Sequence, residues 1–147
     1  MSRIKETYIS HSAEETRSVA AEFAKTLHPG DAVALYGDLG ADKTVFVSGA
    51  CRALGFHGFV TSPTFAIVNE YTGGTYPIAH FDMYRITGEA DLFSTGFYDY
   101  LDSGYILFIE WSENIDFAIE DQFVKVTVIG SGDSERTVTI EDGRNSD

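Results

Sequence analysis

The sequence predicts an α/β domain with a mixed, partly antiparallel sheet flanked by helices. Two apolar runs, DAVALY at 31–36 and YILFI at 105–109, are too short for helices and suit buried strands. Helix-period stretches stand between them, and strict alternation at Val124, Val126 and Val128, then Val138 and Ile140, adds an antiparallel pair.

Taken in order, Glu6–Ile9 is a short strand. Ser12 followed by Glu15 forms a capping-box pattern, after which Val19, Ala20, Phe23, Ala24 and Leu27 share one helical face. Pro29 and Gly30 stop that helix, and the apolar run 31–36 follows. After Thr44, VFVSGACRALG reads as a helix closed by Gly55. Val60 to Thr64 (VTSPT) is a loop, because Pro63 forbids a regular central strand. Phe65–Tyr71 and Tyr76–Tyr84 read as strands of a hairpin joined across 72–75. Short helical turns at 89–93 and 97–101 precede the run 105–109, which ends at Glu110-Trp111. The closing strands turn at 130–134. With no repeat and no linker, residues 1–147 form a single domain with a short polar tail at about 143–147.

The 147 residues suffice for about one ordinary domain. An apolar fraction of 44% and an aromatic fraction of 14% exclude a disordered chain, a collagen-like repeat or a coiled coil. Ten Lys and Arg against 23 Asp and Glu leave a net charge of −13, so tight autonomous binding of nucleic acid is not expected. A basic protein partner or a small anion in a local pocket remains compatible with that charge. The single cysteine, Cys51, excludes an intramolecular disulfide and a cysteine-rich zinc site. No apolar run approaches the roughly 20 residues of a membrane span. The start, MSRIKETYISHS, has no apolar segment of signal-peptide type, so a soluble, cytoplasmic protein is expected.

The segment GDLGADKT at 37–44 follows a predicted strand, precedes a helix and nearly matches the phosphate-loop pattern G-x-x-x-x-G-K-[ST]. In such a loop, successive backbone N–H groups and a helix N-terminus attract phosphate oxygens. The contacts expected on the nucleotide side are Asp38, Leu39, Gly40, Ala41, Asp42, Lys43, Thr44 and Val45. Lys43 would reach the β/γ-phosphates of ATP or ADP, and the Thr44 hydroxyl would bind Mg²⁺. The second glycine of the pattern is Asp42. If that position needs positive φ, Asp fits worse than Gly. A like-charge pair at 4 Å is worth roughly 4 kcal/mol at an effective dielectric of 20, about a thousandfold in affinity. Pointing outward, or pairing with Lys43, would reduce that penalty.

Outward from the loop, LYGDLGADKT, VTSPTFAIVNEY, HFDMYR and LFIEW resemble, in order and spacing, the TsaE (YjeE) family of small P-loop ATPases. The resemblance runs from about Ser12 to Trp111 and is weaker in the terminal strands. It implies a P-loop NTPase-like domain with ATP and Mg²⁺, in a working complex with TsaB-like and TsaD-like proteins. The complex transfers threonylcarbamoyl to adenosine 37 of tRNA, so tRNA is met only indirectly, and the ATPase supports repeated turnover. The resemblance also implies catalytic roles for Lys43, Thr64, Asp82 and Glu110. Glu110, at the end of an apolar strand, joins Thr44 on the magnesium side; Asp82 coordinates metal or positions water. Thr64 of SPTF stands as a switch-like threonine near the γ-phosphate. Thr16 falls near the adenine end, and Trp111 beside the nucleotide, although a core tryptophan fits the residues equally well. His80 reads as a hydrogen-bonded histidine on the strand face of Asp82.

An alternative from another class is a nucleotide-deficient scaffold that keeps the fold and its partner surfaces. Asp42 favours it, whereas retention of Lys43, Thr44, Asp82 and Glu110 opposes it. A small-molecule kinase ranks last, because no arginine-bearing lid is evident after Arg85.

Overall fold

The computed structural model describes residues 4–63, 66–132 and 134–144. Thr64 and Phe65 of the SPTF motif therefore lie outside the described residues. The elements are β1 (Ile4–Ser10), α1 (Ala13–Ala24), β2 (Ala32–Gly37), α2 (Gly40–Ala53), β3 (Val68–Tyr71), β4 (Ile78–Asp82), α3 (Glu89–Ser94), α4 (Phe97–Leu101), β5 (Ile106–Glu110), a 3₁₀ helix (Ser112–Ala118), β6 (Val124–Ser131) and β7 (Glu135–Asp142).

The strands form one seven-stranded sheet in the order β1-β7-β6-β2-β5-β4-β3. Strands β6, β2, β5 and β4 run parallel, while β1, β7 and β3 add antiparallel pairs at the flanks. Side chains of a strand alternate between faces, and both faces of the central strands β2, β5 and β4 are covered. Val33, Leu35, Ile106 and Phe108 join the core under α1 and α2. Ala32, Leu107 and Ile109 join the opposite core with Leu92, Phe97 and Ile115. Two buried faces explain why β2 and β5 read as continuous apolar runs.

Helix α1 starts as its sequence requires: Ser12 Oγ accepts from the Glu15 amide at 3.1 Å. Glu15 returns the bond to the amide of His11 at 2.7 Å, one residue before the cap. Helix α1 meets α2 at Gly49, where a Cβ would lie 2.5 Å from the carbonyl oxygen of Arg17. Only glycine allows so close an approach of two backbones.

One expectation requires correction. Helix α2 begins at Gly40, not after Thr44, because Gly40, Ala41 and Asp42 form its first turn. An acidic residue there is favoured by the helix dipole. Within the polar tail, Arg144 is half-buried and bonded to Asp142, Asp31 and Thr26. The stretch after Trp111 forms a 3₁₀ helix that periodicity did not reveal.

Candidate active site

The site lies at the carboxyl ends of β2, β4 and β5, where ligands gather in open parallel sheets. Strand β2 ends at Gly37, the first glycine of the loop motif, with φ +146°. A Cβ there would stand 2.3 Å from the carbonyl oxygen of Val128 on β6, so no side chain fits. The chain then passes through exposed Asp38 and Leu39 into α2. Leu39 is the N-cap and offers no side-chain hydrogen bond. The first-turn amides thus have no side-chain cap, and such a helix end attracts anions.

Lys43 is buried, its ammonium donating to the carbonyl of Gly37 at 3.2 Å and lying 5.0 Å from the Trp111 ring centre. Trp111 has left-handed backbone geometry (φ 59°), which turns the chain directly after Glu110, and its ring meets Tyr84 edge-on at 4.9 Å. The Thr44 hydroxyl stands 3.1 Å from Glu110 Oε2 and 3.1 Å from the Gly40 carbonyl. Lysine and threonine are thus brought beside the strand-end glutamate predicted from sequence.

Glu110 is itself buried and lies 2.5 Å from His80 Nε2. His80 Nδ1 is 2.9 Å from the Tyr71 hydroxyl, which donates to the Thr61 carbonyl at 3.2 Å. A chain of contacts therefore runs from the loop before Pro63 through β3 and β4 to Glu110 and Thr44. Asp82 lies directly opposite Glu110 in the β4–β5 register. Its Oδ2 accepts from Ser62 at 3.0 Å and its Oδ1 from the Tyr84 amide at 2.9 Å. A cavity of about 520 Å³ opens among Gly40, Thr44, Ser62, Asp82, Glu110 and Trp111.

Asp42 does not take positive φ; among the described non-glycine residues only Ile67 and Trp111 do. The anticipated backbone strain therefore does not arise. Its carboxylate pairs with Arg136 Nε at 2.8 Å, not with Lys43. Thr16 is separated from the larger cavity. With Val45, Asp42 and Arg136 it lines a second cavity of about 220 Å³, and its hydroxyl is 2.7 Å from Ser10 Oγ in buried surroundings.

Sequence reasoning missed Arg136 and the part His80 plays beside Glu110. The alternation H-x-D placed His80 and Asp82 on one face, but the cross-strand register with Glu110 has no sequence signature. Arg136 lies 94 residues from Asp42 and in no motif. Among the described residues, no group of three or more His, Cys, Asp or Glu could hold a metal ion. Thr44 and Glu110 supply hard oxygen donors, and Mg²⁺ is typically held by one or two protein oxygens together with phosphates and water. The donor set fits that ion.

Parallel β2 and β5, with a helix rising from the glycine-rich turn after β2, define the organisation of a P-loop NTPase-like fold. The solved structure of Bacillus subtilis YdiB superposes on the chain with a TM-score of 0.82 at 29% identity, covering 97% of this chain and 88% of that one. The family described as threonylcarbamoyl adenosine biosynthesis protein TsaE matches residues 10–138. The tRNA threonylcarbamoyladenosine biosynthesis protein TsaE of Bacillus subtilis is 36% identical over 127 residues, 86% of this chain and 79% of the relative. The protein of that name from Rickettsia bellii is 33% identical over 145 residues, covering 95% and 97%. The chain belongs to the TsaE family and so to tRNA threonylcarbamoyladenosine biosynthesis. Among the described residues, no helix is long and apolar enough to cross a membrane.

Proposed function

We propose that the chain binds and hydrolyses Mg-ATP as an accessory subunit, in the cytoplasm, that supports turnover of a TsaB–TsaD complex modifying adenosine 37 of tRNA. The observation that carries this reading is the approach of Thr44 to Glu110, 3.1 Å apart, beside the uncapped start of α2. Hydroxyl, carboxylate and helix amides are the groups a magnesium–phosphate unit needs on one side. When bound, Mg²⁺ neutralises phosphate charge and orients the oxygens. Lys43, released from the Gly37 carbonyl, supplies a cation to the β/γ-phosphates. Glu110, held by His80, and Asp82, held by Ser62 and the Tyr84 amide, keep fixed acceptors for a water at the terminal phosphate. The net charge of −13 suits a subunit that leaves tRNA to its partners.

Titration calorimetry with ATP and ADP in the presence of Mg²⁺ tests the reading, with Trp111 fluorescence as a second readout. Micromolar binding that Lys43→Ala abolishes, with hydrolysis raised by added TsaB-like and TsaD-like proteins, is the expected result. Copurification with those proteins without nucleotide binding would establish the scaffold reading instead.

A further inference from the structure

A carboxylate stands in the phosphate loop where the motif has glycine, and one guanidinium faces it. Asp42 is the third residue of α2, and Arg136 comes from β7, opposite Gly130 in the hairpin with β6. The Nε–Oδ2 distance is 2.8 Å, and the two side chains are only 16% and 21% exposed. Arg136 Nη1 also donates to the Glu135 carbonyl at 3.0 Å, which fixes the guanidinium from its own strand. Lys43 cannot serve instead. Adjacent residues on a helix do not face each other, and its ammonium is turned to the Gly37 carbonyl.

We propose that Arg136 is a built-in countercharge for Asp42, a positioning residue that lets a nucleotide polyphosphate share the loop with a carboxylate. Arg136 acts through Asp42 and does not itself bind the nucleotide. The proposal rests on the nucleotide-binding reading above. Paired, Asp42 presents a neutral unit at the edge of the loop. Unpaired, it presents a full negative charge near the phosphates, a repulsion worth up to about a thousandfold in affinity at an effective dielectric of 20. The pair also turns the Asp42 carboxylate toward the smaller cavity that both residues line, away from the Thr44–Glu110 side.

A double-mutant cycle on Mg-ADP affinity tests this, using the natural chain, Arg136→Gln, Asp42→Gly and the double variant, each checked for folding by circular dichroism. Arg136→Gln is expected to weaken ADP binding by about ten- to a thousandfold in the natural chain, within the range set by a like-charge pair. In the Asp42→Gly background the same change is expected to shift affinity by less than about threefold, because distant or uncoupled effects are small. Arg136→Lys should recover a large part of the loss, since it restores the charge without the planar fork. Equal losses in both backgrounds would mean that Arg136 touches the nucleotide directly, and no loss in either would mean that Asp42 needs no countercharge. Each result overturns the proposal while leaving nucleotide binding intact. Absence of binding in all variants, folded as judged by circular dichroism, overturns the nucleotide-binding reading and the proposal together.

Discussion

Two arginine–aspartate pairs bracket β2, and they are nearly matched as ion pairs. Arg136 meets Asp42 at 2.8 Å just beyond the strand's carboxyl end, with side chains 21% and 16% exposed. Arg144 meets Asp31 at 2.7 Å just before its amino end, with side chains 18% and 20% exposed. What differs is the rest of the guanidinium. Arg144 uses all five of its N–H donors, on Asp142, Asp31 and both the carbonyl and hydroxyl of Thr26. It thereby ties the segment after α1, the start of β2 and the end of β7 together, and its head lies 5.9 Å from the Phe23 ring. Arg136 spends one donor on Asp42 and one on the adjacent backbone. Equal distance and burial therefore do not imply equal roles. A saturated arginine at the far end is a staple of the fold, and a sparsely bonded one at the loop is available to set charge.

The largest effect expected from this contrast lies at the loop end. Glu110→Gln should lower ATP hydrolysis by about a hundredfold or more, in the range lost when one preorganised electrostatic group is removed. Its melting temperature should stay level or rise, since groups held for function are often suboptimal for stability. Hydrolysis rates and thermal melts on the same preparation check this. A melt lowered in proportion to activity would make Glu110 a structural residue and erase the distinction between the two ends.

Arg144→Ala should show the opposite pattern. It takes the guanidinium away from half-buried Asp31 and Asp142 and removes the bonds to Thr26, a loss of about 1–3 kcal/mol. At this chain length that is a melting decrease on the order of 5 °C. ADP affinity should be unchanged, because the residue sits at the other end of the sheet. Arg136→Gln, by contrast, should lower stability by less than Arg144→Ala does, about 1 kcal/mol, because it gives up two hydrogen bonds rather than five. If calorimetry finds weaker ADP binding in Arg144→Ala, the two ends are coupled through β2 and the comparison fails.

How far the sequence disclosed these regions follows from the range of each interaction. Local rules spoke clearly. The Ser12 cap, the valine alternation of β6 and β7 and the Thr72–Thr75 hairpin turn each involve residues a few positions apart, and all stand in the structure. The loop motif was legible because its chemistry is contiguous, and the resemblance extended it to Asp82 and Glu110. The start of α2 was misplaced because a phosphate-loop pattern implies an open loop through Lys43, whereas Ala41 and Asp42 are compatible with a first helical turn. Arg144 read as part of a polar tail, since nothing within GRNSD signals partners 113 and 118 residues away. Arg136 was invisible for the same reason. Long-range charge pairing leaves no periodicity, so the residues that distinguish the two ends of β2 were those that the sequence could not assign.

A last contrast separates both arginine pairs from the core between them. Arginine stays charged far above neutral pH, so the Arg144→Ala decrement should be constant from pH 7 to about pH 10. The core behaves differently. Burial pushes the Cys51 thiol up to about 12 from its ordinary 9.0. A raised pKa favours the protonated folded form, so this contribution is fully present below pH 9 and is lost as pH rises from about 9 toward 12. The expected slope approaches 1.4 kcal/mol per pH unit, about one proton's worth, and appears in denaturant midpoints measured at pH 8, 9 and 10. Tyr71, raised chiefly by burial, and Tyr100, raised to about 12 chiefly by its hydrogen bond to Glu70, have the same sign but act only above their ordinary value of 10.0. Cys51→Ala should therefore flatten the curve between pH 9 and 10 and leave the steeper fall above it. If the slope below pH 10 survives in that variant, the thiol is not its source. An Arg144→Ala decrement that shrank over the same interval would show that the far-end staple depends on groups titrating there, and that its matched geometry with Arg136 conceals a second difference.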